Sequence, residues 1–295
     1  MFTWIRPILT LTLCFVGVLV SGASTSTVQA NQQTAAQPAS LAAIPALAGL
    51  AAAGGDPAVF GRQVFEQADL IESGYVDLQV QLSMVLRDAR GRESQRGLRI
   101  RQLEVPEDAD KVLVVFDTPA NIRGTALLSH AHVNADDDQW LFLPAIKRTK
   151  KIASRNKSGP FLGSEFSFED LSPRDVAKYD YAYIREEQIE GQPCWVVDRF
   201  PRDKYSGYSR QRVWLDQAHL RIQRIDYVNR RDEVIKRLQV DEYQLYADRY
   251  WKPGFMRMEN LRNGKSTDLI WRDYAFMQGF EAERDFSVAS LRRAR

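Results

Sequence analysis

Val76-Asp-Leu-Gln-Val-Gln-Leu-Ser-Met-Val-Leu86 is the stretch that decides the fold class. Val76, Leu78, Val80, Leu82, Met84 and Leu86 alternate with Asp77, Gln79, Gln81 and Ser83. A period of two puts the alternating apolar side chains of a strand on one face. Asp88-Ala-Arg-Gly91 turns the chain, and Leu98 and Ile100 then alternate with Arg99 and Arg101. Residues 111–117 are apolar on both faces, which predicts a central strand. Further strands are expected over 122–130, 138–144, 147–153, 178–189, 193–200, 208–216, 219–228, 233–246, 255–262 and 266–276. Asn263-Gly264 has the composition of a type I′ hairpin turn. Turn signals recur roughly every ten residues without a helical period between them, the pattern of an antiparallel meander.

Later strands change phase. Leu220 and Ile222 face one way and Ile225 and Tyr227 the other, which predicts bulges. A sheet of about eleven strands with one apolar face curls as twist accumulates. It must then close on itself, pack on a second sheet, or be stoppered. Two stoppers are available. Asp56-Pro57 is a helix start, and Val59, Phe60, Val64, Phe65 and Leu70 recur at helical spacing, predicting an amphipathic helix over 57–72. The second is a loop, Ser158-Gly-Pro-Phe-Leu-Gly-Ser-Glu-Phe-Ser-Phe-Glu-Asp-Leu171. A surface loop rarely carries so many bulky apolar groups unless they cover something.

Upstream, Arg6 and the apolar run from Ile8 to Val20 have the form of an export leader, with cleavage expected after Ala30 or after Ala23. Residues 31–56 are a linker of Ala, Gln, Pro, Ser and Gly, leaving 57–295 as the folded domain. Of two cysteines, Cys14 lies in the leader and Cys194 in an apolar strand, so no disulfide framework is expected. Export without disulfides suits the periplasm of a Gram-negative bacterium. The 295 residues carry a net charge of +2, so no global field favours nucleic acid or membrane, and a charged partner must be met locally.

Lys147, Arg148, Lys150, Lys151 and Arg155 form the densest local charge, a candidate contact for anionic head groups or an acidic partner. No nucleic-acid role is expected, because the neighbouring aromatics have the pattern of buried groups. His130-x-His132 has a spacing used at metal sites, but only His219 remains to converge on it, so no metal or other cofactor is expected. Ser164 lacks a nucleophile elbow and an assignable base, so the chain reads as a non-enzyme. The residues expected to line an apolar trough are Trp140, Phe142, Leu143, Phe161, Leu162, Phe166, Phe168, Leu171, Tyr181 and Trp214.

Trp140-Leu-Phe-Leu-Pro144, the basic segment after it, and Gly-Ser-Glu-Phe-Ser-Phe-Glu-Asp-Leu171 resemble the LolA-like family of outer-membrane lipoprotein-sorting proteins. The resemblance is to the branch found beside RND/MMPL-type exporters. Trp251-Lys-Pro253, Asn263 to Thr267, Phe286 and Leu291 extend it over 57–295. It implies a mainly β, half-open antiparallel barrel wrapped around a helix, with a loop plug and a hydrophobic cavity. The expected function is a periplasmic carrier of lipid or lipoprotein acyl groups toward the outer membrane. The alternative is a ligand-free accessory subunit docking on such an exporter.

Overall fold

The computed structural model describes residues 54–105, 110–133, 135–173 and 175–293, together with Leu47 and Gly49. The expected leader and most of the expected linker lie outside them. The elements are α1 (Pro57–Glu72), β1 (Asp77–Arg87), β2 (Glu93–Leu103), β3 (Lys111–Thr118), β4 (Ala126–His130), β5 (Asp138–Leu143), β6 (Arg148–Ile152), β7 (Tyr179–Ile189), β8 (Gln192–Pro201), β9 (Arg210–Asp216), β10 (Ile222–Val228), β11 (Val234–Asp241), β12 (Gln244–Tyr246), β13 (Tyr250–Lys252), β14 (Phe255–Asn260), β15 (Ser266–Phe276) and α2 (Ala282–Asp285). Thirteen strands form one antiparallel sheet in the order β6-β5-β4-β3-β2-β1-β15-β14-β11-β10-β9-β8-β7, and β12 pairs with β13 apart from it. The ladder ends at β6 and β7, so the sheet is curled but open. It is larger than expected, and residues 233–246 are not one strand: they break at Glu242, whose φ of 56° splits β11 from β12.

The main core lies on one face of this sheet. Leu82, Met84, Leu98, Val114, Phe116, Leu127, Leu141, Val197, Val213, Leu215, Ile225, Leu238, Val240, Met258 and Leu269 belong to a single cluster with Phe60, Val64 and Phe65 of α1. The expected bulge is present: the β9–β10 register shifts between Ile222 and Arg224. The Asn-Gly hairpin differs from expectation. Only Gly264 has positive φ, at 69°, and Asn260 N–H bonds Lys265 O across a loop of 261–264. Asn263 instead accepts from Lys265 N–H at 2.9 Å, so its side chain closes a turn that its backbone does not.

Two devices cover the opposite face. Over β2–β5, Phe286 and Leu291 of the C-terminal segment pack on Leu103, Leu113, Val115, Leu128 and Phe142. This explains why β3 is apolar on both sides. The buried Asp77 carboxylate starts the segment by accepting the amides of Gln278, Gly279 and Phe280 at 2.6, 3.0 and 3.2 Å. Over β8–β15 the cover is a set of cross-strand ion pairs: Arg212 to Asp198 at 2.7 Å, Arg237 to Asp226 at 2.8 Å and Arg257 to Asp268 at 2.8 Å. Opposite charges facing each other on neighbouring strands reinforce the pairing.

Candidate functional site

The site is the concave face and the two pieces of chain laid across it. Helix α1 begins at Asp56, whose Oδ1 accepts Ala58 N–H at 2.8 Å, with Pro57 in the first turn. It buries Phe60, Gly61, Val64, Phe65 and Ile71; Val59 and Leu70, expected in the apolar stripe, are exposed. Gly61 is where the helix meets the sheet. A Cβ there would stand 3.0 Å from both Tyr183 N and Val197 Cγ1. Phe60 then meets the rings of Tyr183 and Trp195 edge-on at 4.8 and 5.5 Å, and Phe65 lies 4.9 Å from Tyr181.

The Phe-rich loop is a strap. Phe161 N–H bonds Phe166 O at 2.7 Å and Phe168 N–H bonds Gly159 O at 3.1 Å, making a small hairpin with its tip at Leu162 and Gly163. Phe161 is fully buried, 5.7 Å from Phe116 and 5.5 Å from Phe168, and Phe166 is 4% exposed. Polar groups tie the strap down from several strands. Arg96 donates to Leu162 O at 2.8 Å from β2 and Lys236 to Glu165 O at 2.7 Å from β11. Thr267 Oγ1 accepts Glu165 N–H at 3.0 Å, and Asn260 donates to Glu165 Oε2 at 2.7 Å. At its base, Gln139 Nε2 donates to Phe168 O at 2.9 Å and Tyr208 OH to Asp170 Oδ2 at 3.1 Å.

Glu169 turns back toward β9, accepting Ser206 Oγ–H at 2.8 Å and Gly207 N–H at 3.0 Å. A Cβ on Gly207 would stand 3.0 Å from both Glu169 Oε1 and Ser158 Cβ, so a larger residue there would press on this contact. Burial first, and the Asp170 charge second, push the Glu169 carboxyl up to about 7. Beside the strap opens a depression of about 370 Å³, with Asp137, Lys178, Glu169, Asp175, Arg199 and Gln211 in its lining. Arg199, 4% exposed, donates Nε–H to Gln211 Oε1 at 2.7 Å and lies over the rings of Tyr179 and Phe65 at 4.8 and 5.5 Å. The opening is therefore polar, while the apolar concave wall beneath is filled by α1 and the strap.

The ten residues expected to line a trough are divided between two faces. Phe161, Phe166 and Tyr181 join the main cluster, with Leu143, Leu162, Phe168 and Leu171 packed against it. Trp140 and Phe142 lie on the other face under the C-terminal segment, and Trp214 on that face beside Cys194 and Val196. The basic residues Lys147, Arg148, Lys150, Lys151 and Arg155 are exposed. They sit on and around β6, an edge strand, where charge also discourages pairing with another sheet. Lys151 reaches Asp138 at 2.6 Å. His130 bonds Phe286 O at 2.6 Å, which makes Nε2 the protonated nitrogen, and His132 faces Asp138. Among the described residues no three His, Cys, Asp or Glu side chains gather as metal ligands would. Cys194 is buried, and burial pushes its thiol up to about 11.

Sequence reading missed the polar ties of the strap and the buried Arg199 beside α1, although a signal existed. Gln139 shares the inward parity of Leu141, Lys236 that of Leu238 and Val240, and Arg199 that of Trp195 and Val197. A polar residue at an inward position is the mark of a buried hydrogen bond.

A family model described only as an uncharacterized protein matches residues 108–293. A domain from Vibrio parahaemolyticus named for outer membrane lipoprotein sorting is 42% identical, with a TM-score of 0.78 over 80% of this chain and 100% of that one. A DUF1329 family protein from Desulfovibrio piger is 28% identical, with a TM-score of 0.76 over 80% and 99%. A LolA superfamily protein from Nitrosomonas europaea shares the fold at 18% identity, with a TM-score of 0.63 over 78% and 98%. No curated protein matches the chain.

Proposed function

We infer a carrier function, starting from the family: this chain belongs to the LolA superfamily, among its outer membrane lipoprotein-sorting domain proteins. In this reading it is a periplasmic, non-enzymatic carrier. It takes the acyl chains of lipids or lipoproteins between the concave face and the strap, and delivers them toward the outer membrane. The observation that supports it is the way the concave wall is covered. That wall is apolar from strand to strand, yet α1 and the strap that cover it contribute no strand to the sheet. Both can lift without breaking the ladder. The structure is then the closed form, in which Phe161 and Phe166 hold the place of a guest. Replacing aromatic side chains by an acyl chain of equal buried area changes the hydrophobic free energy little, because that term follows area and not direction. The cost of opening is the set of polar ties on the strap, each worth about 1 kcal/mol net.

Native mass spectrometry of the protein purified under mild conditions should show co-purifying lipid, and a fluorescent fatty acid should be taken up. A clean apo mass together with no uptake would contradict the reading. The filled wall favours a second one: an accessory subunit that carries nothing and docks on an RND/MMPL-type exporter through the cations around β6. In that case charge reversal at Lys150 and Lys151 abolishes the complex, while uptake is absent from every variant.

A further inference from the structure

Three hairpin turns emerge side by side at the strap end of the sheet: 202–209 after β8, 229–233 after β10 and 261–265 after β14. Between them lies a depression of about 740 Å³ whose lining includes Lys204, Arg230, Arg231 and Arg262 and no carboxylate. Of the acids in these turns, Asp232 pairs with Arg210, Asp203 accepts Tyr205 N–H at 2.8 Å and Glu233 accepts from Asn229 Nδ2 at 2.8 Å, while Glu169 faces Ser206 and Gly207. Arg230 is held in place by donating to Lys204 O at 3.0 Å. Two apolar side chains stand at the rim, Tyr205 at 42% and Leu261 at 47% exposed, and Lys204 Nζ lies 5.0 Å over the Tyr205 ring.

Four cations in one depression that no carboxylate lines repel one another, and an anionic surface relieves that repulsion. Protruding tyrosine and leucine beside the cations narrow the choice of surface. Apolar groups that enter the head-group layer, next to lysine and arginine over the phosphates, are the composition of an interfacial membrane contact. We propose that this end of the sheet docks on an anionic phospholipid surface, with Lys204, Arg230, Arg231 and Arg262 over the phosphates and Tyr205 and Leu261 in the head-group layer. The docking is independent of cargo: it holds whether or not the concave wall ever takes a guest.

Vesicle co-sedimentation tests it. The protein should sediment with vesicles of phosphatidylcholine mixed with phosphatidylglycerol, remain in the supernatant with phosphatidylcholine alone, and be released by salt as screening shortens the reach of the cations. Lys204→Glu, Arg231→Glu and Arg262→Glu combined should lower partitioning by at least about a hundredfold. These side chains lie in exposed turns, so the melting curve should not move. Tyr205→Ser with Leu261→Ser should weaken binding but keep its salt dependence. Equal binding to both kinds of vesicle, or unchanged binding of the charge-reversed variant, overturns the proposal. So does binding to neither, which would assign the cations to an acidic protein partner.

Discussion

Glu169 shows how single side chains set the behaviour of the strap. Its pKa rises from 4.5 to about 7, chiefly through burial. The folded state therefore holds the proton more tightly than the unfolded chain. This group's contribution to stability is greatest below 4.5, falls as pH rises, and is lost above about 7. The full effect is on the order of 3 kcal/mol. Melting temperatures of the parent protein should fall between about pH 5 and about pH 8, and those of Glu169→Gln should fall less; equal slopes would contradict the assignment. Asp226 has the opposite sign. Burial opposes its charge, but hydrogen bonds from Arg224 and Arg237 outweigh burial and hold its pKa below the ordinary value. Its contribution is present above that ordinary value and is lost in acid. Asp226→Ala leaves two arginines without their acid and should cost about 2 kcal/mol in urea unfolding at neutral pH. At this scale the sequence was legible wherever parity was applied. Trp140 and Phe142 were expected beside Leu143, although alternation places them on the face opposite Leu141 and Leu143. Trp214 failed in the same way, since Val213 and Leu215 point inward around it.

Among the elements, α1 and the strap cover the concave wall, and each has a residue on which its seating depends. Gly61→Val would push a branched side chain into the Tyr183 backbone, and the resulting shift should destabilise the protein by about 2 kcal/mol despite the loss of a helical glycine. An unchanged unfolding midpoint would mean that the helix rides more loosely than its contacts indicate. Phe161→Ala empties a fully buried site and should cost about 3 kcal/mol, while increasing uptake of a fluorescent fatty acid by making room beneath the strap. Destabilisation without any gain in uptake would make Phe161 a core residue only. Helix position and the hairpin pairing of consecutive strands were readable because period and turn chemistry are local signals; the pairing of β1 with β15, which leaves β6 and β7 at opposite edges, was not. The detailed turn at Asn263-Gly264 was not, because loop length decides which turn forms, and the pairing of Asn260 with Lys265 fixes that length.

At the level of the whole molecule, a curled antiparallel sheet with two stoppers was foreseeable from one-faced strands and accumulating twist, although about eleven strands were expected and thirteen form it. What fills the concave side was not, because alternation shows which residues face inward and says nothing about how closely they meet. In the carrier reading the strap is a displaceable cover over an acyl-binding wall. Hydrogen–deuterium exchange with and without a synthetic triacylated lipopeptide tests this, read at the amide of Glu165, which bonds Thr267 of β15, and at those of Phe161, Ser164 and Phe168 in the strap. Bound lipopeptide should make these amides exchange faster, while those of β8 to β11 stay as protected as before. A lipopeptide that fails to bind, or that binds and leaves the strap amides unchanged, would contradict it.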